Sequence, residues 1–420
     1  MNKHLFSLII LLAALSSTAY GQLTIDDCQA KARNNYPLIK QYDLIAKSKE
    51  YSLSNAARAY LPQLQLNARA TYQSEVTAIP ISLPGVDIPQ LSKDQYQVYL
   101  EVNQTLWDGG VVRSQKKITE AGADAENQQL QVDLYAVEAR VNQLFFGILL
   151  LDAQLKQNQI LLDELERNYV TVASYVENGI AHQADFDAIK VEQLNTQQNR
   201  IQIVSTRAAY LNMLSYMAGE TIDSATALIK PNADEWLTAS DVNRPELQWF
   251  ASQNRLLESQ KGLLKTAYMP KLNLFVQGGG GRPGLNMLSS DFDAYYIGGI
   301  RLAWNFGALY TLKNDLRKLS IQQQHTDARQ ETFLFNVHLE VIRENQDIKR
   351  LEEQMKLDDE IITLRENIRK AEAAKVANGT ATVTDLMREL MRENLARQTK
   401  DTHEIDLLIA IYNIKYTTNN

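Results

Sequence analysis

Residues 63–72 read QLQLNARATY. Gln63, Gln65, Asn67, Arg69 and Thr71 are polar, and Leu64, Leu66, Ala68, Ala70 and Tyr72 are apolar or small. Strict alternation over this length predicts a strand with two unlike faces. Most of the chain, however, has the composition of long helix. The question is what each face of such a strand looks at in a largely helical protein.

The stretch does not stand alone. Tyr60-Leu61-Pro62 precedes it, and Tyr268-Met269-Pro270 precedes a second alternating run, Lys271-Leu272-Asn273-Leu274. Three more landmarks recur in the same order. Asn35-Tyr36-Pro37 matches Asn243-Arg244-Pro245, and Trp107-Asp108-Gly109-Gly110 matches Trp304-Asn305-Phe306-Gly307. Glu177-Asn178-Gly179 with Asp185 matches Ala377-Asn378-Gly379 with Asp385. The chain therefore reads as two copies of one unit, residues 22–230 and 231–420.

In each copy the proline ends a helix and pushes its predecessor toward extended geometry. The expected strand pairs are 63–75 with 95–107, and 271–277 with 294–306. In the latter, Tyr296, Ile300, Leu302, Trp304 and Phe306 share a face. The segments 79–93 and 278–293 read as connecting loops; Gly278–Gly281 has neither the lysine nor the following helix of a phosphate loop. Strands of about 10 residues with one apolar face, one polar face and terminal aromatics suit a tilted membrane-crossing sheet. A small sheet lying on a soluble core has the same periodicity. The N-terminus favours the membrane: Lys3, an apolar run Leu5–Leu15, then small residues up to Gly21 form a secretory signal peptide, residues 1–21. Four strands do not close a barrel, so a membrane barrel requires several chains.

The long helices follow the strands. Residues 108–217 and 308–415 read as two helical hairpins, turning at Asn178-Gly179 and Asn378-Gly379. The first helix, on the order of 100 Å long, carries a heptad seam: Val137, Val141, Leu144, Ile148, Leu151, Leu155, Asn158, Leu162, Leu165, Tyr169, Val172 and Val176. Asn158 is its one polar position and suits a register-setting role. Asp185 and Asp385 lie early in the return helices, at the positive end of the helix dipole. Strand hairpins at one end and turns at the other suggest a conduit.

Charge and chemistry narrow the function. The formal charge is −7, which argues against nucleic acid. The lone Cys28 forms no intrachain disulfide and reads as a buried residue of the first helix. The most apolar later stretch, Leu144–Leu151, is too short to span a membrane as a helix. His182, His325, His338 and His403 show no ligand spacing and read as incidental. Asp358-Asp359-Glu360 reads as a solvated face. No catalytic constellation, cofactor site or metal site is found, so an enzyme is not expected.

These landmarks together resemble the TolC-like outer-membrane efflux proteins, the outer membrane factors, over essentially all of the mature sequence. The resemblance implies a mainly α fold with a small β part. Long coiled-coil hairpins would form an α-barrel, with four transmembrane strands per chain in a shared trimeric barrel. It implies a homotrimer in the Gram-negative cell outer membrane, contacting outer membrane lipid, with a helical tunnel in the periplasm. It implies the passive exit duct of efflux or type I secretion. Its partners would be an inner-membrane RND or ABC transporter and a periplasmic adaptor, or membrane fusion, protein. Adaptor contacts carry over to Asn178, Gly179, Asn378 and Gly379. A collar is expected from residues 219–240 and the C-terminus. The periplasmic aperture would involve Asp185, Asp385 and Arg388, the last standing where the family often has a second acid; Asp385 and Arg388 are spaced to pair on one helix. The alternative reading is a periplasmic adaptor or structural coiled-coil protein without a membrane barrel.

Overall fold

The computed structural model describes residues 23–77, 91–179, 181–224, 226–232 and 241–419. The expected signal peptide, most of the 79–93 connection and part of the expected collar lie outside them.

The elements in chain order are α1 (Ile25–Asn35), a 3-10 turn at Pro37–Lys40, α2 (Gln41–Arg58), β1 (Gln63–Tyr72), β2 (Asp94–Trp107), α3 (Val111–Glu177), α4 (Gln183–Ala218), α5 (Pro245–Thr266), β3 (Lys271–Arg282), β4 (Asp293–Ala303), a 3-10 turn at Phe306–Ala308, α6 (Leu309–Ala377) and α7 (Val383–Thr418). They pack as two compact units. One takes in the described residues of 1–40, 130–247 and 331–420; the other consists of 41–129 and 248–330.

The second unit holds the strands. All four form one antiparallel sheet in the order β1-β2-β3-β4. Leu66 pairs with Leu100 across β1 and β2, Val102 with Val276 across β2 and β3, and Leu274 with Ile300 across β3 and β4. The apolar residues so aligned are not covered. Leu66 is 71% exposed, Ile300 66% and Tyr296 82%, and Leu64, Val98, Leu100, Val276 and Leu302 are also exposed. A sheet resting on a soluble core would bury these side chains.

The strands enter and leave through capped corners. Asp108 accepts hydrogen bonds from the Gly110 and Val112 amides (2.8 and 2.6 Å) and from the Tyr60 hydroxyl (2.9 Å). Burial opposes its charge, but these bonds outweigh it and hold the carboxyl below its ordinary range. In the second copy Asn305 accepts from the Gly307 amide at 3.0 Å.

Three strand boundaries differ from expectation. β1 ends at Tyr72 rather than 75. β3 continues through Gly278–Gly281, expected to be loop. Those glycines pair with Leu100, Tyr99, Val98 and Gln97. At Gly279 a Cβ would fall 2.1 Å from the Val98 carbonyl oxygen, so the close approach of β2 demands a bare backbone there. β4 stops at Ala303, short of Trp304 and Phe306. The Trp304 indole instead donates to the Tyr268 carbonyl (2.9 Å) and packs on Phe306 at 4.8 Å between ring centres.

The first unit is built on α1, α3, α4 and α7. Val137, Val141, Phe145, Phe146 and Ile148 of α3 pack with Leu211 and Leu214 of α4, Leu408 of α7, and Cys28 of α1. Cys28 is fully buried, which pushes its thiol up to about 12. An 18-residue window of α3 is apolar enough to cross a membrane, contrary to expectation, but 56% of it is buried inside the protein. Core packing therefore explains its hydrophobicity. Arg244 stacks on Tyr135 and Tyr416 (4.7 and 4.9 Å), donates to the Tyr416 carbonyl (2.9 Å) and pairs with Glu246. α7 stays helical to Thr418, past the expected 415, and the Thr418 carbonyl accepts the Asn243 amide at 2.8 Å. Within the expected collar, Leu23 bridges Leu228 as a parallel β pair.

The seam on α3 is largely buried at Val137, Val141, Ile148, Leu165 and Val172. Asn158 is 1% exposed and donates to the Thr196 carbonyl of α4 at 3.0 Å. The bond ties one register of the hairpin. His403 and Asp358 are neither incidental nor solvated: the ring Nδ1 lies 2.8 Å from the nearly buried Asp358 carboxylate, joining α7 to α6. Lys400 pairs with Asp359 at 2.6 Å.

The glycine run yields a contrast. Gly279→Ala is expected to disrupt β2–β3 pairing and sharply reduce folded protein. Gly278→Ala, where an added Cβ meets nothing within 4 Å, is expected to be tolerated. Yield and thermal stability of the two purified variants check this; equal behaviour would contradict the close approach.

Candidate functional site

The site residues expected from the sequence all lie at the helical turns, and the polar face of the sheet is a second candidate surface.

At the first turn Gly179 adopts φ +71°, and at the second Gly379 adopts φ +70°. Both are left-handed positions that terminate a helix and favour glycine. The Gly379 amide donates to the Val376 carbonyl (3.0 Å) and the Thr380 amide to the Lys375 carbonyl (2.9 Å), the paired bonds of a Schellman end. Gly179 likewise donates to Val176 at 3.0 Å. Asn178 and Asn378 turn their amides back to the Ser174 and Ala374 carbonyls at 2.7 and 2.8 Å. A Cβ at either glycine would meet nothing within 4 Å, so both turns present open backbone.

The two turns sit over one core. Leu161, Leu165 and Val172 of α3, Ile189 of α4, Val376 of α6 and Val383, Leu386 and Leu390 of α7 form a single cluster beneath them. The four helix ends therefore act as one body.

Asp185 and Asp385 hold equivalent positions in the first turns of α4 and α7. Asp185 accepts the His182 amide at 3.1 Å. Asp385 completes a full capping box: Thr382 Oγ1 accepts the Asp385 amide (3.2 Å), and the carboxylate accepts the Thr382 amide and hydroxyl (3.3 and 2.6 Å). Arg388 lies 3.1 Å from the other carboxylate oxygen. The Thr382 bonds first, and the Arg388 charge after them, hold the Asp385 carboxyl below its ordinary value.

Inward from the turns is an ion-pair lattice that sequence reading missed. Arg369 of α6 contacts Glu393 of α7 (2.6 Å) and Glu164 of α3 (3.4 Å). Arg397 contacts Glu393 (2.8 Å) and Glu366 (3.5 Å), and Arg365 contacts Glu389 (3.5 Å). Its members come from three helices, so no local spacing announces it. Networks of this kind hold helix orientation better than isolated surface pairs do.

On the sheet, Glu101 is the centre of the polar face. It accepts from Asn103 (2.5 Å) and Gln277 (2.7 Å), and Arg301 stands 3.9 Å away. Arg301 also stacks on Phe275 at 4.6 Å. Three strands thus meet at one acid that is only 8% exposed. Among the described residues, no group of three or more His, Cys, Asp or Glu side chains could hold a metal ion.

Long helical hairpins and a four-stranded antiparallel sheet with an uncovered apolar face make the fold mainly α with a small β part. A sequence model of the family described as outer membrane efflux protein matches residues 30–220, in line with the resemblance read from the sequence. Solved structures agree on the fold. The outer membrane protein VceC of Vibrio cholerae superposes with a TM-score of 0.66 at 13% identity, covering 94% of this chain and 96% of its own. The Neisseria gonorrhoeae MtrE outer membrane channel gives 0.64 at 14% identity, covering 94% and 89%. The Campylobacter jejuni CmeC outer membrane channel gives 0.63 at 12%, covering 94% and 85%. No curated protein sequence matches the chain.

The cap makes a pH prediction. Asp385 has a folded pKa below its unfolded value, so its stabilisation is present above the unfolded pKa, about 4, and is lost as pH falls through the folded pKa. Amide exchange at residues 383–388, corrected for intrinsic rate, is expected to show less protection at pH 3 than at pH 6. Asp385→Asn should lower the protection seen at pH 6 and remove the pH difference. An unchanged difference in that variant would contradict the assignment.

Proposed function

We propose that the protein is the outer-membrane exit duct of an export assembly, a passive channel rather than an enzyme. The observation that carries this reading is the exposed apolar face of a sheet whose edge strands, β1 and β4, have no outer partner strand among the described residues. In lipid every backbone donor and acceptor must be paired, so such a sheet is stable only as part of a closed barrel. Moving Leu64, Leu66, Ile300 and Leu302 from water into lipid would contribute roughly 6–12 kcal/mol. A soluble adaptor or coiled-coil protein gains nothing from this face.

Closure is proposed to come from two further copies of the chain. Three sets of four strands make a barrel of twelve. The helices carry matching demands for cover. Leu357, Ile361, Leu364 and Ile368 of α6 follow heptad spacing and stay exposed, as do Val191, Leu194 and Ile201 of α4. Such stripes fit the seams between protomers of a helical tunnel. The strands would then lie in the Gram-negative outer membrane and the hairpins in the periplasm.

The turns at Asn178-Gly179 and Asn378-Gly379 are proposed as contacts for a periplasmic adaptor serving an inner-membrane RND or ABC transporter. Open backbone at a rigid helix end offers a close docking surface. Asp185, Asp385 and Arg388 are proposed to line the aperture. There the Asp385–Arg388 pair lowers the net negative charge that two acids would supply.

The test is substitution by a bulky residue where the fold has room. Gly179→Trp and Gly379→Trp are expected to leave trimers in the outer membrane, at a cost of about 1–2 kcal/mol each for the left-handed backbone. They should abolish the cross-link between a photoreactive residue at 378 or 178 and the adaptor, and with it export. Cross-linking and export at the unsubstituted level in both variants would overturn the docking role.

A further inference from the structure

The polar face of the sheet carries an unequal charge count. Along the four strands, its charged positions are Arg69, Glu101, Lys271, Asp293 and Arg301. Three are cations and two are acids, in a chain whose overall charge is −7. The register places Lys271 in the row nearest the helices, opposite Ala303, and Arg301 one row further, opposite Asn273. Arg69 stands opposite Gln97 near the far end of the strands, in the row where Gly281 pairs with Asp293.

Glu101 is less available than the cations, while Asp293 is exposed in the same row as Arg69. Glu101 is nearly buried, and its two oxygens are taken by Asn103 and Gln277. Arg301, which stands beside it, remains about half exposed and is held against Phe275. Arg69 and Lys271 are exposed and have no acidic partner among the described residues. The remaining strand charges, Asp94 and Arg282, lie on the other parity at the strand ends and pair with each other at 3.8 Å. Entering from the helix end, a solute passing over this face therefore meets Lys271 and Arg301 before the nearly buried Glu101 and the exposed Asp293.

We infer that the polar face of the sheet is a positively charged pore lining that favours anionic solutes over cations. This deepens the channel reading and rests on it. In a shared barrel each chain would add one net positive charge, giving rings of like charge of the sort that set selectivity in pores. Low-dielectric walls would focus the field toward the lumen. The cargo chemistry it fits is a small molecule bearing carboxylate, sulfate or phosphate groups.

The experiment is the reversal potential of the full-length protein reconstituted in planar bilayers under a KCl gradient. Arg69→Gln with Lys271→Gln is expected to lower the chloride-to-potassium permeability ratio by about twofold or more. Arg69→Glu with Lys271→Glu should lower it further, and Arg69→Lys with Lys271→Arg should leave it as in the unsubstituted protein. Both positions are exposed side chains, so folding is not at issue. A ratio that is unchanged or raised in the glutamine and glutamate variants would overturn the lining. Absence of any conductance from the unsubstituted protein would instead overturn the channel reading beneath it.

Discussion

The whole structure turns on a backbone constraint at the sheet. Four strands pair with one another through every internal ladder, yet β1 and β4 each leave one row of amides and carbonyls open. Beside those open rows lies an apolar face, Leu64 to Tyr72 on one edge and Tyr296 to Leu302 on the other, that none of the described residues covers. In water the open edges invite pairing with another chain; in lipid they make it obligatory. On the proposed reading, the same sheet makes one chain an incomplete object that further copies complete.

The helices are consistent with that demand at a different level. Their internal packing is settled within the chain. Phe145, Phe146 and Ile148 fill one core, and Leu165, Ile189 and Leu386 another. Asn158 ties α3 to α4, and the His403–Asp358 contact ties α7 to α6. What remains unsatisfied is a stripe of exposed aliphatic side chains on α6 and α4. At the turns the opposite strategy operates: caps, glycine backbones and an ion-pair lattice satisfy the local groups, leaving exposed but stable helix ends. The exposed apolar stripes suit the proposed assembly, and the polar, rigid turns suit the proposed docking.

How much of this could be read from the residues depends on whether the signal was local. β1 was legible because ten residues alternate without a break. The hairpin turns were legible because Asn-Gly is a local device for a left-handed cap. The strand character of Gly278–Gly281 was not, since glycine shows no alternation and has poor strand propensity. Its pairing is decided across the ladder, where Val98 and Tyr99 come too close for any side chain at Gly279. Likewise β4 was drawn too long because Trp304 and Phe306 fit its period, although their rings serve the corner after the strand. The Arg369–Glu164 and His403–Asp358 contacts join residues 205 and 45 apart in the chain, beyond any local pattern. Of the candidate site, the turns and the capping acids could be read from the residues themselves. The docking and aperture roles came from family resemblance.

The most direct test of the central claim is a cysteine scan of residues 63–72 with a nitroxide spin label, on the full-length protein reconstituted in lipid vesicles. The native Cys28 is fully buried and its thiol is pushed up to about 12, so labelling is confined to the introduced sites. Accessibility to lipid-soluble oxygen is predicted to peak at 64, 66, 68, 70 and 72. Accessibility to a water-soluble nickel complex is predicted to peak at the positions between. Shielding of the even-numbered positions from both reagents, as on a face packed against protein, would contradict the account.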